Sequence, residues 1–286
     1  MDMKNSINYM KTAVMAFLAC AALFPLSVSS QTLRGDFNMD GEVNISDAIS
    51  MANCLLNDSP GELTPDDRDT LMLNGVPVVM VRVKAGTYTI RYGDVRTVER
   101  DFWIGQTEVT YGLWWTVMGR EEVPTNEIYR NHAVQGLGWN QCQVFIDSLN
   151  RMTGMNFRAP TVTEWMFAAT GGRLSRGYDY SGSNDINEVA WYKENYRENL
   201  NSFGLLDIRV ATKAPNELGL YDMSGNVSEF CWEPGSSTSV CLYGGNMGST
   251  ADLCRPHSHK TVDASDDIPF QHKQYAGLRL VLPVEE

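Results

Sequence analysis

Histidine is scarce in this sequence, and the common catalytic motifs are absent from it. The chain has 286 residues and four histidines. It contains no H-E-x-x-H, no G-x-S-x-G, no phosphate-binding loop and no dinucleotide-binding fingerprint. These absences argue against zinc metalloproteases, serine hydrolases with a nucleophile elbow, P-loop nucleotide hydrolases and Rossmann dehydrogenases.

Basic residues are in the minority as well. The chain has 23 Lys and Arg against 35 Asp and Glu, a net charge of −12 with neutral histidines. Because residues 1–30 hold two lysines and one aspartate, the remainder carries −13. A negative surface repels phosphate backbones and anionic lipid headgroups. The composition therefore argues against nucleic acid and membrane surfaces as partners.

Long apolar runs are missing except near the N-terminus, where Thr12–Leu26 follows Lys4 and Lys11. This run is shorter than the ~20 residues that a bilayer-spanning helix needs, and small residues follow it. The pattern predicts a signal peptide over 1–30, cleaved before Gln31, and no transmembrane segment in the mature chain. An exported protein at the cell surface, in the periplasm or outside the cell follows. An uncleaved anchor and lipidation at Cys20 are the alternatives.

Five cysteines remain after such a cleavage, and an odd number leaves at least one thiol unpaired. An oxidising compartment permits disulfides, but the sequence cannot decide which cysteines pair. Cys231–Cys241 and Cys231–Cys254 are both open, whereas Cys142 lies on an apolar helical stripe and is expected in the core. The five are Cys54, Cys142, Cys231, Cys241 and Cys254.

Oxygen-bearing side chains recur at calcium-loop spacing in residues 36–47, "DFNMDGEVNISD". Gly41 stands sixth, where such a loop turns sharply, and an apolar helical pattern follows from Ile45. Calcium takes six to eight oxygen ligands, which this spacing supplies. The predicted ligands are the side chains of Asp36, Asn38, Asp40, Asn44 and Asp47 and the carbonyl of Glu42.

This loop and its helix resemble a dockerin repeat, the calcium module that docks on cohesins in polysaccharide-degrading assemblies. Dockerins pair two repeats, and the following stretch "GELTPDDRDTLMLNG" contains no second loop. Cohesin docking is therefore not expected. Residues 31–71 are predicted to form a calcium-stapled loop and helix that precede the main domain, 72–286.

The main domain begins with strand patterns. Residues 77–90 are rich in β-branched side chains and predict two strands broken at Ala85–Gly86, and "DFWIGQTEVT" predicts another. Thr110 is then the expected cap of a short helix that ends at Gly119.

Two further helices carry capping-box signals. Asn140 with Gln143 and Thr161 with Glu164 show the spacing in which a cap and a side chain three residues later satisfy each other. From residue 173 onward the sequence has little periodicity, which predicts long ordered loops. The expected fold class is an irregular, loop-rich α+β domain.

The order of segments resembles the sulfatase-modifying factor, or formylglycine-generating, family over roughly 75–284. The matching segments are "FWIGQTEVTYGLWWTVMG", "APTVTEWMFAATGG", "NELGLYDMSGNVSEF", "LYGGNMGSTADLCR" and "YAGLRLV". The resemblance implies a compact C-type-lectin-like fold. Active members of that family oxidise a sulfatase cysteine to formylglycine with oxygen and a copper ion held by two cysteines.

The two thiol positions of the family can be placed on this sequence. The first counts to Ser249 and the second to Cys254, while an alternative alignment through Arg255 puts Cys254 beside the catalytic position. Two thiolates hold Cu(I), and one cannot make that site. The resemblance therefore implies a member without oxidase activity, with copper needed only by an active enzyme.

The family also implies a structural calcium ion at "DMSGNVSE". The matching ligands are the carboxylates of Asp222 and Glu229 and the carbonyls of Gly225 and Val227. Two carboxylates around two turn carbonyls suit a hard cation. The alternative is an ordinary turn at Asp222 with Glu229 paired to an arginine.

Two histidines close to Cys254 have no family explanation. The pattern C-x-x-H-x-H offers Cys254, His257 and His259 as zinc or copper ligands, although the spacing is not a standard one. A polar loop with incidental imidazoles is the alternative reading.

Three functions are compatible with these features. The first is an exported, calcium-stabilised binding or accessory domain for a protein or carbohydrate ligand. The second is a copper-dependent formylglycine generator with an altered thiol site, and the third is another metal-dependent enzyme centred on Cys254, His257 and His259. Aromatic residues could serve the first function or simply lie in the core: Tyr178, Tyr180, Trp191, Tyr192 and Tyr196.

Overall fold

A computed structural model describes residues 67–89, 94–119, 129–199, 208–236, 238–264 and 275–284. The predicted signal peptide and the calcium loop at 36–47 lie outside these residues, as do Cys20 and Cys54. The predicted boundary between 31–71 and 72–286 falls inside the strand Arg68–Leu73. Within the described residues, no helix is both long enough and apolar enough to cross a bilayer.

Three sheets organise the described residues, two with four strands and one with two. The strands are β1 Arg68–Leu73, β2 Val76–Val83, β3 Gly86–Thr89, β4 Val95–Val98, β5 Phe102–Gly105, β6 Ser228–Trp232, β7 Ser239–Tyr243, β8 His259–Asp263, β9 Ala276–Gly277 and β10 Val281–Pro283. The strand order is β1-β2-β5-β10 in the first sheet, β3-β4 in the second and β8-β7-β6-β9 in the third. All pairs are antiparallel except β6 with β9.

Four α-helices lie between these strands, and the longest belongs to the middle of the chain. They are α1 Tyr111–Met118, α2 Trp139–Thr153, α3 Val162–Ala169 and the single turn α4 Ile186–Val189. Short 3₁₀ turns cover Gly172–Leu174, Tyr196–Asn199 and Ala251–Cys254. The long segments between α3 and β6 contain little else, which confirms the mixed, loop-rich α+β class.

Strand and cap signals predicted several of these boundaries. The break at Ala85–Gly86 separates β2 from β3. The hydroxyl of Thr110 accepts from the Leu113 amide, and α1 ends at Gly119. Thr161 and Glu164 form the reciprocal capping box of α3. The two cap signals work because each cap side chain accepts from a helix amide three residues later, which has no partner within the helix.

The start of α2 was predicted wrongly. The helix begins at Trp139 with Gly138 as its N-cap, and the Gln141 side chain accepts from the Gly138 amide at 2.9 Å. The expected cap, Asn140, is already helical, because an earlier start lets Trp139 pack against Phe230. Cys142 is fully buried in the core as expected, whereas Met152 is exposed at the end of the helix.

The third sheet separates two hydrophobic clusters. Phe230, Val240 and Leu242 point to the cluster that contains α1 and α2, in which Trp114 stacks on Phe145. Alternate residues point to the other side, where Cys231 and Tyr243 join Trp165 of α3. Strand β6 is therefore buried on both faces, whereas the edge strand β8 is largely exposed.

Candidate functional site

The loop that follows β7 places Cys254 under a pair of glycines. Gly244 and Gly245 have φ values of 84° and 68°, in the left-handed region. A Cβ at Gly245 would lie 2.8 Å from the Cys254 sulfur, so only glycine lets the backbone approach the thiol this closely. The 3₁₀ turn Ala251–Cys254 then buries the cysteine.

Cys254 is fully enclosed by apolar side chains. It has no exposed surface and shares a cluster with Tyr180, Ile186, Val189 and Tyr192. Burial raises the pKa of its thiol to about 12, and the nearby charge of Glu194 adds to the shift. The backbone amides of Asn246 and Gly225 act in the opposite direction and lower this pKa. In the absence of a metal, burial therefore disfavours the thiolate, which is the reactive form of a cysteine.

Ser249 occupies a polar turn rather than a metal pocket. Its hydroxyl accepts from the Asn246 amide at 3.0 Å, and its own amide donates to the Asn246 carbonyl at 2.8 Å. The Ser249 carbonyl accepts from the Lys193 amide at 3.0 Å. The residue at the first thiol position thus closes a turn and fastens it to the segment near residue 193.

His257 and His259 lie in surroundings different from that of Cys254. His259 is exposed on β8, where its ring stacks on Tyr243 at a centroid distance of 5.0 Å. His257 is half-buried in the turn before β8. Among the described residues, no group of three or more His, Cys, Asp or Glu side chains is arranged to hold a metal.

Glu229 forms a buried ion pair with Arg279. Both side chains are fully buried, and the guanidinium donates to the two carboxylate oxygens, with Nη2 at 2.6 Å from Oε1 and Nε at 2.8 Å from Oε2. The indole of Trp165 donates to Oε2 at 2.6 Å. The arginine partner that the sequence analysis kept as an alternative is therefore present, and the Glu229 oxygens are already occupied.

Three other buried oxygens close to this ion pair have no hydrogen-bond partner. They are Oε2 of Glu108, Oδ1 of Asp222 and Oδ1 of Asn226, all on buried side chains. The side-chain amide of Asn226 donates to Oε1 of Glu108 at 3.1 Å. The backbone amide of Ala211 donates to Oδ2 of Asp222 at 2.7 Å. Buried oxygens without donors are rare, because each costs about 1–3 kcal/mol.

Both acids of this acidic centre, Glu108 and Asp222, have a raised pKa. Burial is the main cause that raises the pKa of Glu108 well above its usual range, and the charge of Asp222 raises it further. Burial likewise raises the pKa of Asp222 to about 6. A hard cation would remove both penalties, and two carboxylates with an amide oxygen are suitable ligands for it.

Sequence reasoning missed Glu108 in this centre. It selected Asp222 and Glu229 from one short segment, whereas Glu108 is more than a hundred residues away in the chain. A signal was present nevertheless, since Glu108 is the one acid in "FWIGQTEVTYGLWW", an otherwise apolar and aromatic stretch. A carboxylate in such a run is either functional or paired.

The five candidate aromatics divide into two groups. Tyr180 and Tyr192 are buried in the cluster around Cys254, so they belong to the core. Trp191 is half-buried and carries the Lys213 ammonium 3.9 Å above its ring. Tyr178 and Tyr196 are also half-buried. These last three keep surface that a ligand could contact.

Two curated proteins are similar to this chain, which covers most of the first protein and a small part of the second. The chain is 32% identical over 255 residues, 71% of this chain, to "Chaperone protein LppX" of Paenibacillus barcinonensis, of which it covers 88%. It is 30% identical over 103 residues to "Serine/threonine-protein kinase pkn1" of Chlamydia pneumoniae, which is 36% of this chain but 14% of that protein.

Solved structures share the fold at low identity. Treponema denticola variable protein 1 is 23% identical with a TM-score of 0.61, over 76% of this chain and 99% of that one. PvdO from Pseudomonas aeruginosa is 18% identical with a TM-score of 0.57, over 80% of this chain and 100% of that one.

A family model matches nearly all of the main domain that the sequence predicts. The sulfatase-modifying factor enzyme 1-like domain matches residues 74–284, well over half of the chain. This span contains the glycine loop with Cys254, the Glu229–Arg279 ion pair and the acidic centre around Glu108. The chain therefore belongs to the sulfatase-modifying factor enzyme 1-like domain family.

Proposed function

We propose that this chain is an exported, calcium-stabilised member of its family that binds a protein ligand and has no oxidase activity. The observation that carries the proposal is the state of the thiol site. Ser249 stands where a second thiol is required, and Cys254 is buried with a raised pKa. A site with one thiol cannot supply the two thiolates that hold Cu(I).

A protein ligand is favoured over a carbohydrate by the similarity to a protein named as a chaperone, which covers most of both chains. The half-buried rings of Tyr178, Trp191 and Tyr196 offer amphipathic surface, of the kind that suits contact with a partly exposed polypeptide. The sequence pattern of residues 1–30, which predicts a signal peptide, supports export.

The acidic centre is the proposed calcium site among the described residues. Glu108, Asp222 and Asn226 each contribute a buried oxygen without a hydrogen-bond partner, and these three residues would hold the ion. The cation would neutralise two carboxylates and fasten the segments that carry them. Its role there is structural, because the centre is enclosed and shows no exposed side chain of these residues to a substrate.

Copper titration with matched variants tests the absence of oxidase activity. Wild-type protein, Cys254→Ser and Ser249→Cys are titrated with Cu(I) against a chromogenic chelator, and oxygen uptake is followed with a peptide that contains C-x-P-x-R. We expect no tight copper binding and no oxygen uptake by the wild type or by Cys254→Ser. Cys254-dependent copper binding with oxygen uptake would overturn the proposal, and copper or zinc binding without uptake would favour the third function instead.

Ligand class is tested separately. The full chain is added to chemically denatured citrate synthase, and light scattering during dilution reports aggregation. We expect an equimolar amount of the wild-type protein to lower the scattering, and the Trp191→Ala variant to lower it less. The control is Tyr192→Ala, because this buried ring cannot contact a ligand and its loss affects folding only. Binding to a glycan array without any effect on scattering would reject the protein ligand.

A further inference from the structure

Two cysteines face each other across neighbouring strands of the third sheet. Cys231 of β6 and Cys241 of β7 are direct partners in the antiparallel register. Directly opposite residues of such a pair have Cα atoms ~4.5 or ~5.5 Å apart, and both separations lie within the range of disulfides. The strand register therefore brings these two thiols within reach of one bond.

Both side chains point to the same face of the sheet. Cys231 belongs to the cluster around Trp165, and Cys241 packs against that same cluster. Their neighbours Phe230, Val240 and Leu242 point to the opposite cluster. This alternation matters because a bridge across a strand pair requires both Cβ atoms on one face.

The other described cysteines are held in separate places. Cys142 is buried on α2 in the cluster on the far side of the sheet, and Cys254 is buried among Tyr180 and Tyr192. Neither is a register partner of Cys231 or Cys241. Of the two pairings that the sequence left open, the register selects one.

The two thiols differ in solvent accessibility, which determines which of them reacts first with an external disulfide. Cys231 has no exposed surface and donates to the Glu229 carbonyl at 3.7 Å, while Cys241 is half-buried next to the Thr261 hydroxyl. Burial raises the pKa of both thiols. The accessible thiol of Cys241 is the one that an external disulfide can reach first.

We propose that Cys231 and Cys241 form a disulfide that locks β6 to β7 when the protein reaches an oxidising compartment. Both are thiols in this structure. The Cys241 thiolate attacks a low-molecular-weight disulfide such as glutathione disulfide, which releases one glutathione thiol and leaves a mixed disulfide. Cys231 then loses its proton, attacks the Cys241 sulfur and releases the second glutathione. Two protein thiols lose two electrons and two protons, and one donor disulfide is reduced to two thiols.

Peptide mapping tests the pairing directly. The full chain is equilibrated in a glutathione redox buffer at pH 8, alkylated in denaturant and digested with chymotrypsin, which cleaves after Trp232 and Tyr243 and so separates the cysteines. We expect a linked pair of peptides containing Cys231 and Cys241, with Cys142 and Cys254 alkylated. Alkylation of both members of the pair, a Cys231–Cys254 link, or glutathione retained on Cys241 would overturn the proposal.

A stability measurement gives a second, independent readout. Reduction of the oxidised wild type should lower its Tm by roughly 5 to 10 °C. Cys241→Ser, at the half-buried position, should fold, have the Tm of the reduced wild type and not respond to reductant. The control Cys254→Ser should keep the full response to reductant. A wild type whose Tm ignores reductant would contradict the proposal even if the variant did not fold.

Discussion

At the scale of single residues, burial decides the chemistry of the cysteines and acids in this domain. Cys254, at a predicted thiol position of the family, is shielded from solvent, and burial raises the pKa of its thiol. Glu108 and Asp222 are equally shielded, and each has one oxygen without a donor. In the proposed function, the first arrangement accounts for the absence of oxidase activity and the second for the affinity for calcium.

Calcium binding can be tested at Glu108. We expect calcium to raise the Tm of the wild type by about 5 °C or more at saturation, because a ligand that binds only the folded state stabilises it. Glu108→Gln should remove at least half of that rise, since an amide supplies less charge to the ion. Differential scanning fluorimetry with calcium and with a chelator measures both.

Glu99→Gln is the matched control for this change, because Glu99 is exposed. It should keep the calcium response of the wild type. A Glu108→Gln protein with an undiminished response would show that the unpaired oxygens do not hold the ion.

A second residue-scale prediction concerns Gly245. Its φ of 68° already disfavours alanine, and the new Cβ would meet the Cys254 sulfur at 2.8 Å. Gly177 has a similar φ of 71° but open space around it. Urea unfolding should show that Gly245→Ala costs about 1–3 kcal/mol more than Gly177→Ala, because strain is common to both and the clash is not. Equal losses would disprove close packing against the thiol.

At the scale of elements, the first turn of α3 is held by a half-buried capping network. The Glu164 carboxylate accepts from the Thr161 amide at 2.8 Å and from two Arg158 nitrogens at 2.6 and 2.7 Å. Burial opposes its ionisation, but the hydrogen bonds and charge of Arg158 outweigh it and lower the pKa of Glu164. The charged form is therefore the one that stabilises the helix.

This shift predicts a dependence of stability on pH. A carboxyl with a lowered pKa in the folded state adds stability above its unfolded pKa, near 4.5, and loses it as the pH falls through the lower folded value. Glu164→Gln should cost about 1 kcal/mol at pH 7 and flatten the acid side of the stability curve. Urea unfolding between pH 3 and 7 measures both effects; an unchanged acid slope would refute the assignment.

At the scale of the whole molecule, one buried arginine joins the first sheet to the third. Arg279 donates to the Gly105 carbonyl of β5 at 2.9 Å, to the Tyr221 carbonyl at 2.8 Å and to Glu229 of β6. Each of these segments is otherwise distant in the chain. The arginine therefore supplies donors to one carbonyl at the end of a strand and to one carbonyl in a loop.

Removal of this arginine should destabilise the entire domain. Arg279→Met leaves Glu229 charged and buried, which should cost about 3–5 kcal/mol in urea unfolding. The double variant Arg279→Met with Glu229→Gln should recover part of the loss, because it also removes the unpaired charge. Arg96, exposed on β4, provides the control as Arg96→Met. A loss no larger than that of the control would contradict the role of the ion pair.

Local patterns predicted much of this architecture. The break between β2 and β3, the caps at Thr110 and Thr161 and the loop-rich second half all followed from spacing, because these signals act within a few residues. The start of α2 was missed because packing of Trp139, a long-range contact, competed with the local cap at Asn140.

The sequence by itself determined the family and the mixed fold class, since both depend on residue identity and order. It also predicts a serine, Ser249, at the first of the two thiol positions. Only the tertiary structure decided which groups meet. It pairs Glu229 with Arg279 in a buried ion pair and places Glu108 close to Asp222. It also makes Cys231 the register partner of Cys241. These outcomes could not be read from spacing, because the partners are brought together by chain packing and by the register of a sheet.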